Sequence, residues 1–123
     1  YPELHYGRDA LVGIALFLTH LALSGKKCSE LRAQYPNFVI SKNKIELTPS
    51  TDMEKLLKSV QETFKNNPVN TEDGVKIEFT EGWVHLRKSN TEPIIRIYSE
   101  GENEQVANAL AQKIKDVVDK LKK

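Results

Sequence analysis

Cysteine is almost absent from this sequence, and its absence excludes two kinds of site. Cys28 is the only cysteine among 123 residues, so neither a disulfide within the chain nor a cluster of thiolate zinc ligands can form. The histidines, at positions 5, 20 and 85, are too scattered for a metal-ligand motif. We therefore expect no cofactor in these residues, and a chain without disulfides fits a cytoplasmic location.

An excess of charge of either sign is also lacking. Eighteen Lys and Arg residues against seventeen Asp and Glu residues give a formal net charge of +1. Such a balance creates no general field that would attract nucleic acid or an anionic membrane. Any site for an anion must therefore be local.

Long apolar runs are missing as well. The longest, Ala10 to Leu23, is shorter than the roughly 20 residues that a bilayer-spanning helix needs. Asp9 and Gly25 can cap the two ends of this helix. Because its apolar residues fall on nearly every face, the helix should expose apolar surface, which self-association through residues 10–23 or folding back onto the domain would cover. Together with an opening that has neither a Met nor a signal sequence, this predicts a fragment of a longer protein.

Helical and extended patterns alternate in the next part of the chain. Residues 30–35 predict one short helix before Pro36, and residues 38–47 predict an extended stretch. Thr51, with Glu54 three residues later, forms a capping box that would start a helix. An apolar stripe follows at helical spacing: Met53, Leu56, Leu57, Val60 and Phe64.

Three strands and a helix are predicted in the remaining sequence. Residues 75–80 alternate apolar with polar side chains, as a half-buried strand does. Residues 83–87 and 94–98 predict two more strands, and an amphipathic helix follows from Glu102. The order predicts an α+β fold, with a mainly antiparallel four-stranded sheet, two helices on one face and the remnant helix in front.

The loop between the last two strands concentrates groups that bind anions. It holds a guanidinium (Arg87), an ammonium (Lys88), two hydroxyls (Ser89, Thr91) and an amide (Asn90). A phosphate dianion needs several convergent donors, and Arg offers a planar fork that matches its oxygens. Hydroxyls and free backbone N–H groups can complete such a cradle. The same residue types also suit an ordinary solvated hairpin loop.

This loop resembles a known family signature. Six of its residues match the arginine-any-Ser-Asn-Thr-Glu-Pro signature of the phosphoglucomutase/phosphomannomutase family: Arg87, Ser89, Asn90, Thr91, Glu92 and Pro93. The resemblance extends over essentially the whole chain. Residues 1–27 look like the end of the family's third domain and a linker. Residues 28–123 look like its fourth, a small α+β domain similar to TATA-binding-protein folds.

The resemblance implies a phosphohexomutase, an intramolecular phosphotransferase. It would interconvert hexose 1- and 6-phosphates through a phosphoserine and a bisphosphate intermediate. By carry-over, four residues hold the phosphate that is not transferred: Arg87, Ser89, Asn90 and Thr91. Four others would support them: Lys88, Glu92, Pro93 and Arg96. The serine and the Mg²⁺ ligands of such an enzyme would lie outside this chain, so the fragment alone is expected to be inactive.

Two alternatives stay open. One is phosphoglucosamine mutase, although Asn90 is more similar to the phosphomannomutase and phosphoglucomutase branches. The other is a small nucleic-acid-binding or protein-binding module. Trp83 and Tyr98 lack the basic, aromatic-interleaved surroundings of a single-strand binding surface, and we interpret them as surface or packing aromatics. We expect the chain to bind a hexose phosphate, and we expect neither a nucleic acid nor a membrane as a partner.

Overall fold

The computed structural model describes residues 1–48 and 51–121. The final residues of the predicted fourth domain, 122 and 123, lie outside the described ranges. The chain divides into two compact units, Tyr1–Pro36 and Asn37–Lys123. The family-domain boundary predicted after residue 27 stays a prediction, because compactness alone does not define it.

The first unit contains two helices, α1 (Ala10–Ser24) and α2 (Cys28–Arg32). The predicted caps of α1 are confirmed: the Asp9 carboxylate accepts a hydrogen bond from the Val12 amide at 3.0 Å, and Gly25 has a left-handed φ of 63°. Helix α2 begins and ends earlier than predicted. The Glu30 carboxylate accepts from the Lys27 amide at 2.7 Å, which favours a helix start at Cys28.

The carboxyl of Asp9 carries a perturbed pKa. A hydrogen bond with the His5 ring (Nε2–Oδ2 3.0 Å) and a second from the Val12 amide lower this pKa below its ordinary value of 3.8. Both contacts favour the charged form of the carboxyl.

Helix α1 exposes its apolar side chains, as expected. None of its residues is buried. Five aliphatic side chains are more than half exposed: Leu11, Ile14, Leu16, Leu18 and Leu23. No helix in the described ranges is long and apolar enough to cross a membrane.

The second unit contains five strands and two helices. In chain order they are β1 (Val39–Glu46), α3 (Met53–Thr63), β2 (Val69–Asn70), β3 (Val75–Phe79), β4 (Gly82–Lys88), β5 (Ile94–Gly101) and α4 (Glu104–Leu121). The strands form one sheet in the order β1-β5-β4-β3-β2, with every neighbouring pair antiparallel. The α+β prediction is confirmed.

The number of strands was predicted one too low. The additional strand, β2, has two residues and pairs Val69 with Ile77. Two residues cannot show an alternating pattern, so periodicity gives no signal for them. The start of α3 also differs from the prediction. Asp52, not Thr51, caps it by accepting from the Lys55 amide at 3.1 Å, while the Thr51 hydroxyl bonds that of Thr48.

The sheet buries one face under α3 and α4. Alternate strand residues such as Ile77, Leu86 and Ile97 join Val60 of α3 and Ile114 of α4 in one apolar cluster. The intervening positions point to the opposite side of the sheet. We call that side the polar face; among its residues are Lys76, His85, Arg87, Arg96 and Tyr98.

Candidate functional site

The loop between β4 and β5 is fastened at its base by backbone hydrogen bonds. The Ser89 amide donates to the Ile94 carbonyl at 3.1 Å, and the Ile94 amide donates to the Glu92 carbonyl at 2.8 Å. The Pro93 carbonyl accepts from the Leu47 amide, which follows β1, at 2.9 Å. Both ends of the loop are thus tied to the sheet, so side chains on it project from a fixed support.

A hollow of about 200 Å³ opens at this loop. Seven residues line it: Arg87, Lys88, Ser89, Asn90, Thr91, Arg96 and Tyr98. The structure therefore brings together the four predicted phosphate ligands and two of the predicted supporting residues. Glu92 and Pro93, the other two, lie in the same loop but do not line the hollow.

Arg87 reaches the hollow from the polar face. Its guanidinium does not pack under the sheet: the side chain is 48% exposed, and Nη2 lies 2.7 Å from Oδ2 of Asp73. Arg96 stands directly opposite Arg87 in the β4–β5 register, so the two guanidinium groups start from neighbouring positions of one face.

Ser89 and Arg96 contact each other within the loop region. Ser89 is 5% exposed, and its hydroxyl accepts from Nη2 of Arg96 at 3.5 Å, a long hydrogen bond. The same Nη2 lies 3.8 Å from Oε2 of Glu92. Arg96 therefore touches both the hydroxyl of a predicted ligand and the carboxylate at the far side of the loop.

The hollow is suited to an anion. Three cationic side chains line it, and none of the described residues on its wall carries a carboxylate. Hydroxyl, amide and guanidinium donors surround the same space. Opposite charge and several hydrogen-bond donors are the features that recognise a phosphate. Across the described ranges, no group of three or more His, Cys, Asp and Glu side chains could hold a metal ion.

Two residues of this region were not predicted from the sequence. Tyr98 lies two positions after Arg96 on the same strand face, and the period of two along a strand was a usable signal. Asp73 lies in the segment before β3, and only the strand register brings it to Arg87: Val75 pairs with Leu86. No spacing in the sequence reveals that contact.

A family model matches this chain. It describes the C-terminal domain of phosphoglucomutase/phosphomannomutase and matches residues 43–117. The matched region contains the whole β4–β5 loop and every residue that lines the hollow.

Curated relatives are similar over most of the chain. A phosphoglucosamine/phosphogalactosamine mutase of Sulfurisphaera tokodaii is 38% identical over 97% of this chain and 27% of its own length. A phosphoglucomutase/phosphomannomutase of Thermococcus kodakarensis is 38% identical over 87% of this chain and 24% of its own length. The chain thus spans about a quarter of the length of these relatives.

A solved structure has the same fold. A phosphoglucomutase/phosphomannomutase family protein from Burkholderia thailandensis superimposes with a TM-score of 0.57 at 23% identity. The match covers 76% of this chain and 20% of that one.

Proposed function

The chain belongs to the phosphoglucomutase/phosphomannomutase family as the C-terminal domain of a phosphohexomutase, and from this premise we propose that the β4–β5 loop binds the phosphate of a hexose phosphate. The observation that carries the proposal is the hollow itself. It gathers Arg87, Lys88 and Arg96 around hydroxyl and amide donors, with no carboxylate on its described wall.

The four predicted ligands would offer different kinds of hydrogen-bond donor to the phosphate. Arg87 supplies a planar fork for two phosphate oxygens, and the Thr91 hydroxyl and Asn90 amide add neutral donors from the exposed tip of the loop. The Ser89 hydroxyl, which lies beside Arg96, has its own proton left to donate to an oxygen of the ligand. Lys88 adds a positive charge at the rim.

The supporting residues act on the shape of the loop. Arg96 contacts Ser89 and Glu92, which braces the loop from the sheet side. Glu92 would repel a dianion and is better suited to this bracing. Pro93 fixes the backbone angle at the loop exit, where its carbonyl bonds the Leu47 amide.

In the longer enzyme, phosphate binding by this loop would contribute to catalysis although the loop lies away from the reacting atoms. We propose that the enzyme interconverts hexose 1- and 6-phosphates through a phosphoserine and a bisphosphate, while this loop holds the phosphate that is not reacting. Binding energy spent on the remote phosphate orients the reacting oxygen. We expect the 123 residues alone to show no mutase activity. The ligands of the Mg²⁺ that the resemblance implies would lie outside this chain, because the described residues contain no group of three or more His, Cys, Asp and Glu side chains that could hold a metal ion.

Relatives from two branches of the family indicate two classes of candidate sugar. The relatives at 38% identity include a phosphoglucosamine/phosphogalactosamine mutase and a phosphoglucomutase/phosphomannomutase. Amino-sugar phosphates are therefore a second candidate beside glucose and mannose phosphates. We propose that the chain has no nucleic-acid or membrane partner, which the near-zero net charge supports. We also propose a cytoplasmic location, because the single cysteine allows no disulfide within the chain.

Chemical-shift mapping by NMR tests the proposal. ¹⁵N-labelled chain is titrated with glucose 6-phosphate, mannose 6-phosphate, glucosamine 6-phosphate and, separately, a single-stranded oligonucleotide. We expect sugar-phosphate shifts centred on residues 87–91, the same shifts with inorganic phosphate, and none with the unphosphorylated sugars. Shifts on the polar face with the oligonucleotide alone would favour the nucleic-acid module instead.

A further inference from the structure

We propose that Asp73 is a positioning residue that holds the Arg87 guanidinium at the wall of the hollow; the inference rests on the phosphate-binding function proposed above. Arg87 Nη2 lies 2.7 Å from Asp73 Oδ2. Asp73 does not line the hollow, whereas Arg87 does. The carboxylate therefore meets the guanidinium from outside the space that an anion would occupy.

The backbone at Asp73 makes contacts with β4 that do not depend on the ion pair. Its carbonyl oxygen accepts a hydrogen bond from the His85 ring, and His85 lies two residues before Arg87 on the same face of β4. The next residue, Gly74, has φ +77°, and a Cβ built there would lie 2.1 Å from the Leu86 carbonyl oxygen and 3.3 Å from the Arg87 Cα. A residue without a side chain lets this segment lie directly against β4.

Arg87 is the partner that the ion pair would order. Its long side chain loses rotamer entropy when it is held in one place, whereas the backbone at Asp73 lies against β4 at the His85 and Gly74 contacts. Pairing before the ligand arrives would reduce the ordering cost of binding. A guanidinium carries five N–H donors, so a contact through Nη2 leaves others for phosphate oxygens.

If Asp73 competed with the ligand for Arg87, removing Asp73 would change phosphate affinity in the opposite direction. If Asp73 merely competed with phosphate for Arg87, its removal would tighten phosphate binding, because a like charge near the dianion would also disappear. A positioning role predicts weaker binding despite the loss of that repulsion. The direction of the change therefore decides between the two.

The experiment measures binding of inorganic phosphate and glucose 6-phosphate to the whole chain by NMR titration at constant ionic strength. The variants are Asp73→Asn, Asp73→Glu, Arg87→Ala and the double variant Asp73→Asn/Arg87→Ala. Glu72→Gln is the matched control: it removes the same charge from the adjacent exposed residue. Backbone spectra and melting temperatures establish that each variant is folded.

We expect Asp73→Asn to weaken phosphate binding roughly 2- to 5-fold, the range of an exposed ion pair. Asp73→Glu should restore most of the affinity, Glu72→Gln should not weaken it, and Asp73→Asn should have no further effect once Arg87 is alanine. Equal or tighter binding by Asp73→Asn would overturn the inference, as would an undiminished effect in the Arg87→Ala background. Unchanged binding by Arg87→Ala alone would instead overturn the proposed function.

Discussion

Replacing Arg87 with alanine should weaken phosphate binding by about 5- to 30-fold. A fork of charge-assisted hydrogen bonds contributes up to about 1.5–3 kcal/mol per bond when it is well shielded. Arg87 is 48% exposed and already contacts Asp73, so water and the carboxylate both reduce what the ligand gains. A net loss of about 1–2 kcal/mol remains after that discount.

The assay is a phosphate titration followed by NMR or calorimetry at one fixed, low ionic strength, because salt screens exposed charges. Arg87→Lys separates charge from geometry: it keeps the positive charge but lacks the planar fork. Its affinity should lie between those of the wild type and Arg87→Ala. Lys58→Ala is the control, because it removes one exposed positive charge from α3, the layer on the opposite side of the sheet.

The result that would refute the reasoning is an Arg87→Ala variant that is folded and binds phosphate as the wild type does. If Arg87→Lys bound as well as the wild type, the charge would matter and the fork would not. If Lys58→Ala weakened binding as much as Arg87→Ala, the effect would be a general field and not a local site.

Two further predictions concern the first unit. The pKa of Asp9 is lowered in the folded state by its hydrogen bonds to His5 and Val12. The stabilisation that Asp9 gives to α1 should therefore be present above the unfolded pKa and lost as the pH falls through the folded pKa. Helical circular dichroism below pH 4 should show this loss for the wild type and not for Asp9→Asn, and identical acid curves for the two proteins would contradict the prediction. We also propose that α1 mediates self-association, because its aliphatic side chains are exposed. Sedimentation over a concentration series should show dimers or larger species, and the double variant Leu11→Lys/Leu18→Lys should abolish them. A wild-type chain that stays monomeric at every concentration would contradict this proposal.

The regular elements of the second unit were largely predictable because their patterns are local. Alternation in β3 and an apolar stripe in α3 and α4 each report a single buried face. Where a signal was too short or ambiguous, prediction failed. Strand β2 has only two residues, and Asp52 and Thr51 are both good caps, so only the folded backbone decides which of them caps α3.

The candidate site was predictable only in part, for a related reason. The loop residues are contiguous in sequence, so one motif names them together. Asp73 reaches Arg87 through the antiparallel pairing of β3 with β4 and through the close approach at Gly74. Register and a left-handed glycine are properties of the folded sheet, and no spacing in the sequence encodes the contact between the two side chains.

A crystal structure of this chain with glucose 6-phosphate tests the central claim most directly. We predict that the phosphate lies in the hollow at the β4–β5 loop, with its oxygens within hydrogen-bonding distance of the Arg87 guanidinium and of donors from Ser89, Asn90 or Thr91. A phosphate bound elsewhere on the chain, with the hollow empty and Arg87 turned away from it, would contradict the account.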